Sequence, residues 1–124
     1  MFVNFSNHPS SHWSKEQLAT VAIYGKIKDI PFPAVPADAG TYDVQFMADK
    51  AVEKILADGK PEAVLCQGET SLMFYVTLGL LQRGIHVLVA CSNRQVVEKV
   101  DPATGETVKT AVFKFVRFRD LTLI

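Results

Sequence analysis

The sequence predicts an α/β domain: a doubly wound parallel sheet of element order βαβαβαβ, extended by a C-terminal antiparallel β-hairpin. Three observations lead there. Glu62–Gln67 and Ile85–Cys91 are short, continuous apolar runs, the pattern of parallel strands covered on both faces. The segments before them, 41–56 and 70–83, carry apolar residues at helical spacing. Residues 94–100 and 107–119 flank Asp101-Pro102-Ala103-Thr104-Gly105-Glu106, a turn sequence between β-prone arms.

Phe2–Phe5 is a first short strand, followed by a polar loop. Ser14 and Gln17 then have capping-box spacing, and Trp13 and Leu18 occupy the positions of a hydrophobic staple, so a helix starts at that point. Its stripe is Leu18, Val21 and Ala22, and Gly25 stops it. Lys26–Ile30 alternates as a half-exposed second strand. Pro31, Pro33 and Pro36 exclude regular pairing and make 31–40 a stiff connection. Thr41 is placed to cap a second helix, whose Val44, Met47, Ala48, Ala51, Val52, Ile55 and Leu56 form the clearest amphipathic stripe in the chain. Gly59 and Pro61 separate it from the third strand.

The third helix, about Thr70–Arg83, is apolar around almost its whole circumference. One sheet face cannot bury all of it, so its outer face, through Tyr75 or Leu78, is expected to meet a second copy. Alternation in the last strand breaks between Phe115 and Phe118, which predicts a bulge or burial of both faces.

At 124 residues and 48% hydrophobic, residues 1–124 fit one domain with one core. Lys plus Arg and Asp plus Glu both number 13, so no bulk field exists to hold long nucleic acid or an anionic membrane. No basic leader precedes Phe2, and no apolar run approaches the ~18 residues of a membrane span, which gives a cytoplasmic expectation. Cys66 and Cys91 stand outside any CxxC or zinc spacing and read as two reduced, buried thiols.

In sheets of this kind, ligands bind at the carboxyl ends of the strands beside the switch point, here between strands one and three. Three polar loops meet there. Ser6, Asn7, Ser10 and Ser11 follow strand one, together with His8 and His12. Gln67, Gly68, Glu69, Thr70 and Ser71 follow strand three, where free N–H groups at a helix N-terminus suit a phosphate. Ser92, Asn93 and Arg94 follow strand four, with Arg94 available for a bidentate phosphate contact. Thr70 and Ser71 either cap the helix alone or cap it and touch ligand. His8 and His12 are either proton-transfer groups or surface and packing residues. His86 interrupts an apolar strand and reads as a satisfied core or sheet-edge imidazole, while Arg117 and Arg119, interleaved with Phe118, could serve phosphate and base stacking but read rather as edge-strand decoration. No dinucleotide fingerprint, nucleophile elbow or metal triad is present, so neither cofactor nor metal is expected.

Ser6-Asn7-His8-Pro9 after the opening strand, Gln67-Gly68-Glu69-Thr70 entering an apolar helix, Ala90-Cys91-Ser92-Asn93-Arg94 and the closing Phe115-Val116-Arg117-Phe118-Arg119 resemble small stand-alone CRISPR-associated proteins of Rossmann-like fold. Those belong with the CARF domains and ring nucleases of type III systems. The resemblance implies a homodimer that binds a cyclic oligoadenylate across its two-fold axis and either cleaves or sequesters it. Cleavage in that group generally needs no metal, because the ring's own 2′-hydroxyl attacks the adjacent phosphorus. A ligand-free structural dimerisation domain is the alternative from a different class.

Overall fold

The computed structural model describes residues 1–124 as a five-stranded sheet with helices on both faces. The strands are β1 (Phe2–Phe5), β2 (Ile27–Ile30), β3 (Ala63–Cys66), β4 (Val87–Val100) and β5 (Thr107–Leu121). Their spatial order is β2-β1-β3-β4-β5, parallel throughout except for the antiparallel β4–β5 pair. The expected doubly wound sheet and closing hairpin are both present.

Three α-helices connect the strands: α1 (Lys15–Val21), continued by a 3-10 turn over Ala22–Tyr24, α2 (Thr41–Leu56) and α3 (Thr70–Gln82). Strand alternation sorts the core into two layers. Val3, Phe5, Val64, Cys66 and Val87 face α2 and α3 and build the larger layer with Val44, Ile55, Leu72 and Val76. Phe2, Ala63, Leu65 and Leu88 face α1 and pack with Trp13, Val21 and Phe118.

The local signals for the helices hold in most places. Ser14 Oγ accepts from the Gln17 N–H at 3.2 Å, and Gln17 Oε1 accepts from the Ser14 N–H at 3.0 Å, so the capping box of α1 is closed. Trp13 is buried as half of the expected staple, but Leu18 is exposed, because α1 turns Gln17 and Val21 inward instead. Gly25 ends the helix at φ 87°, a conformation that suits glycine. The expected cap of α2, Thr41, is its first helical residue. Gly40 is the N-cap, and Asp43 Oδ2 accepts from the Gly40 N–H at 2.9 Å.

Helix α3 lies along α2 and over the sheet, so Tyr75, Leu78 and Leu81 are half-buried and Phe74 is its exposed large apolar residue. The larger unpartnered apolar surface is elsewhere. Ser92 through Val100 pairs with Phe115 through Thr107 in nine successive rungs, a ribbon about 30 Å long at strand rise. Every residue of β4 from Ser92 onward is exposed, as are Val108, Val112 and Phe113 on β5. The ribbon is an arm standing off the body. At its tip Asp101 Oδ1 accepts from the Ala103 N–H at 2.9 Å, and Gly105 turns the chain at φ 72°.

The break in alternation is a bulge. The register shifts between Cys91 and Ser92, whose partners are Arg117 and Phe115, so Val116 is the extra residue. Phe115 and Phe118 therefore meet on one face, with ring centroids 4.9 Å apart. Across the other end of this strand pair His86 Nε2 contacts Asp120 Oδ1, and Tyr24 meets the imidazole edge-on. Of the core and sheet-edge roles expected of His86, this is the sheet-edge one. No helix is long and apolar enough to cross a membrane.

Both cysteines are free thiols, Cys66 buried and Cys91 half-buried. Burial pushes the Cys66 thiol up to about 11, with the nearby Thr77 hydroxyl opposing the rise. Alkylation of the native protein at mildly alkaline pH should therefore consume Cys91 well before Cys66, as peptide mass spectrometry would show. The raised value also has a stability consequence. The neutral, buried thiol favours the fold fully below the ordinary thiol value of 9.0, and this contribution is lost as pH rises through about 11.

Candidate functional site

A cleft of about 1140 Å³ opens at the carboxyl edge of β1, β3 and β4, on the α1 face of the sheet. It exists because α1 is only seven residues long and covers the lower part of that face, while the base of the arm walls the far side. Ser6, Asn7, His8 and His12 come to it from the loop after β1, Gln67 and Gly68 from the end of β3, and Ser92 from β4. Gln95 and Val112 through Phe115 form the arm wall.

The loop bearing the histidines is pinned from below by polar groups inside the fold. Asn4 interrupts the apolar strand β1 and is buried. Its Nδ2 donates to the His8 carbonyl at 3.0 Å and to Asp29 Oδ1 at 2.9 Å, and its Oδ1 accepts from Ser6 Oγ at 2.6 Å. Trp13 Nε1 donates to the same His8 carbonyl at 3.0 Å. Ser10 Oγ donates to Asp29 Oδ2 at 2.8 Å, which ties the short 3-10 turn Ser10–His12 to β2. A buried, satisfied polar network of this kind fixes a backbone path more tightly than apolar contacts do. The imidazoles of His8 and His12 are left exposed at the cleft mouth.

The loop after β3 is used differently from the sequence expectation. Glu69 is the N-cap of α3: its carboxylate accepts from the Ser71 N–H at 3.1 Å, the Leu72 N–H at 2.9 Å and the Ser71 hydroxyl at 2.7 Å. The Met73 N–H donates to the Glu69 carbonyl at 2.9 Å. Two of the N–H groups expected to face a phosphate, those of Ser71 and Leu72, are thus already engaged by a carboxylate of this chain. Those bonds, the Leu72 N–H first and the two Ser71 groups after it, hold the Glu69 carboxyl below its ordinary value. Gly68 is required by packing, since a Cβ there would lie 2.5 Å from the Phe32 ring. The Gln67 amide spans to the Ala90 backbone, accepting from its N–H at 3.1 Å and donating to its carbonyl at 3.4 Å, and so prolongs the β3–β4 pairing by one rung.

Ser10, Ser11, Glu69, Thr70, Ser71, Asn93 and Arg94 do not line the cleft. Arg94 stands on the exposed arm, paired across from Phe113. Asn93 lines a smaller groove of about 610 Å³ on the opposite sheet face, with Gln67, Ser92, Cys91, Arg117 and Arg119. The two arginines read from sequence as edge decoration therefore line a groove. No three His, Cys, Asp or Glu side chains converge in a way that could hold a metal ion.

Fold and cleft together define a small Rossmann-like α/β domain with an open polar cleft where its parallel strands end. A family model described as "Uncharacterized protein MJ1673 family" matches residues 1–119, and the chain belongs to that family. No curated protein and no solved structure matches it.

Proposed function

We propose that this chain binds a cyclic oligoadenylate as a homodimer in the cytoplasm and lowers its level by metal-independent phosphodiester cleavage, in type III CRISPR antiviral defence. The observation that carries the reading is the cleft of about 1140 Å³ with two histidines at its mouth. It exceeds the roughly 300–1,000 Å³ that suits one drug-sized ligand, and it is open enough for several linked nucleotides. In the proposed step the ring's 2′-hydroxyl attacks the neighbouring phosphorus and one imidazole takes the hydroxyl proton. The P–O5′ bond breaks, the other imidazole protonates that oxygen, and a 2′,3′-cyclic phosphate and a 5′-hydroxyl result.

Sequestration without cleavage is the second reading. It is favoured by where the chain places its one carboxylate–imidazole pair, the arrangement that orients a catalytic histidine in well-built sites: that pair is His86 with Asp120, away from the cleft. Incubation with labelled cyclic tri-, tetra- and hexa-adenylate in EDTA, with bound, intact and cleaved species separated, tests both. Cleaved ring supports the nuclease and bound intact ring supports sequestration. A protein that binds none of the three leaves only the structural role.

A further inference from the structure

The arm carries an unmatched set of groups. Strand β5 is the outer edge of the sheet, fifteen residues long and free of proline, so one side of its backbone has no neighbouring strand. Natural edges of that length are usually paired or covered, and a two-stranded ribbon alone is only marginally stable in water. Val108, Val112, Phe113 and Val116 are exposed along it.

Charge is segregated along the same ribbon. Asp101 and Glu106 sit at the tip, and Arg94, Lys114, Arg117 and Arg119 sit at the base, none of these six in an ion pair. The remaining charges are Lys99 on β4 beside the tip, Asp120 at the base, which contacts His86, and Glu98 and Lys109, which pair with each other at 3.5 Å two rungs below the end of the ladder. A ribbon with an acidic tip and a basic base is complementary to a second copy of itself laid head to tail.

We propose that two copies of this chain join through their β5 edges, antiparallel, with Val112 on the two-fold axis and each arm tip against the other's base. Alternation requires directly opposed residues to face the same side of the sheet, so only registers centred on a residue are allowed. Centring on Phe113 would oppose Lys109 to Arg117. Centring on Ala111 shortens the overlap and draws the tip away from the arginines. With Val112 on the axis, Lys109 faces Phe115, Lys114 faces Thr110, and Glu106 lies on the sheet face that bears Arg117 and Arg119. The same contact sets the middle of the partner's β5 along the arm wall of the cleft and its tip past that wall, opposite Phe118. This names a surface for the homodimer of the proposed function and rests on that reading only for its being a dimer, since the pairing needs no nucleotide.

Sedimentation velocity of the ligand-free protein at micromolar concentration should show a dimer. Val112→Lys, which opposes two ammonium groups on the axis, should disperse it. Glu106→Lys and Arg117→Glu should each weaken the dimer by about tenfold or more, and the double variant should recover part of that loss, which a folding defect would not do. In a Cys91→Ser background, Val112→Cys should cross-link under mild oxidation, because opposed Cα atoms lie within disulfide reach. A monomeric wild type overturns the proposal. So does a dimer that survives Val112→Lys and falls apart in Phe74→Glu, which would put the interface on α3. Ring binding by a monomer would overturn this interface and leave ligand recognition standing. A dimer that binds no ring would do the reverse.

Discussion

Alanine at His8 or His12 is expected to lower the single-turnover rate of ring cleavage by about 10²–10⁴, the usual loss of a general acid or base, with a much smaller change in ring affinity. The substitutions are clean because neither side chain holds the loop. The position of His8 is set by its carbonyl, which accepts from Asn4 and Trp13, and His12 closes a turn anchored through Ser10 to Asp29. EDTA should leave the wild-type rate unchanged. If both variants cleave at full speed, the proton transfers belong to other groups and orientation of the 2′-hydroxyl carries the reaction. A ring held tightly but intact for hours would establish sequestration.

Phe2→Ala should produce the largest loss of stability, about 3–5 kcal/mol, as for other buried phenylalanines cut to alanine. Phe2 is fully buried. Its ring stacks on Tyr24 at 5.8 Å, meets Trp13 edge-on at 6.1 Å and lies 6.3 Å from Phe118, so one side chain joins β1, the segments flanking α1 and β5. Against a total of about 5–15 kcal/mol, the melting temperature should fall by roughly 10–20 °C in a circular dichroism melt. A shift of only a few degrees would mean that the aromatic cluster repacks around the gap, and that the smaller core layer is less rigid than its burial implies.

The parallel sheet was legible because its signals are local and redundant: continuous apolar strands, two helical stripes, and glycine or proline between them. The break in alternation between Phe115 and Phe118 was legible too, but it left a bulge and burial of both faces open, and only the register and the meeting of the two rings decide for the bulge. The arm was not legible. Alternation in 92–116 identifies strands but is the same whether a ribbon lies on a core or stands away from it. The N-cap of α3 was misplaced because short side chains are favoured there, and Thr70 and Ser71 offered two of them, while the longer Glu69 reaches back to the same N–H groups. Asn4 was the missed signal for the site. A polar residue inside the apolar run Phe2–Phe5 requires buried partners, and those partners, Asp29 and the His8 carbonyl, are what shape the histidine loop.

The single unpaired residue Val116 sets limits on how this chain can vary in length. Rungs can be added to or removed from the arm near its tip, one residue per strand, without disturbing anything below, because each rung brings its own partner. Deleting Val116 alone would invert every β5 side chain on the tip side of it relative to the body, turning the Phe115 face away from Phe118. Relatives of this chain can therefore differ in arm length without disturbing the body, with the tip-to-base contact of the proposed dimer as the constraint on the arm, but should keep one supernumerary residue at this point, whatever its identity.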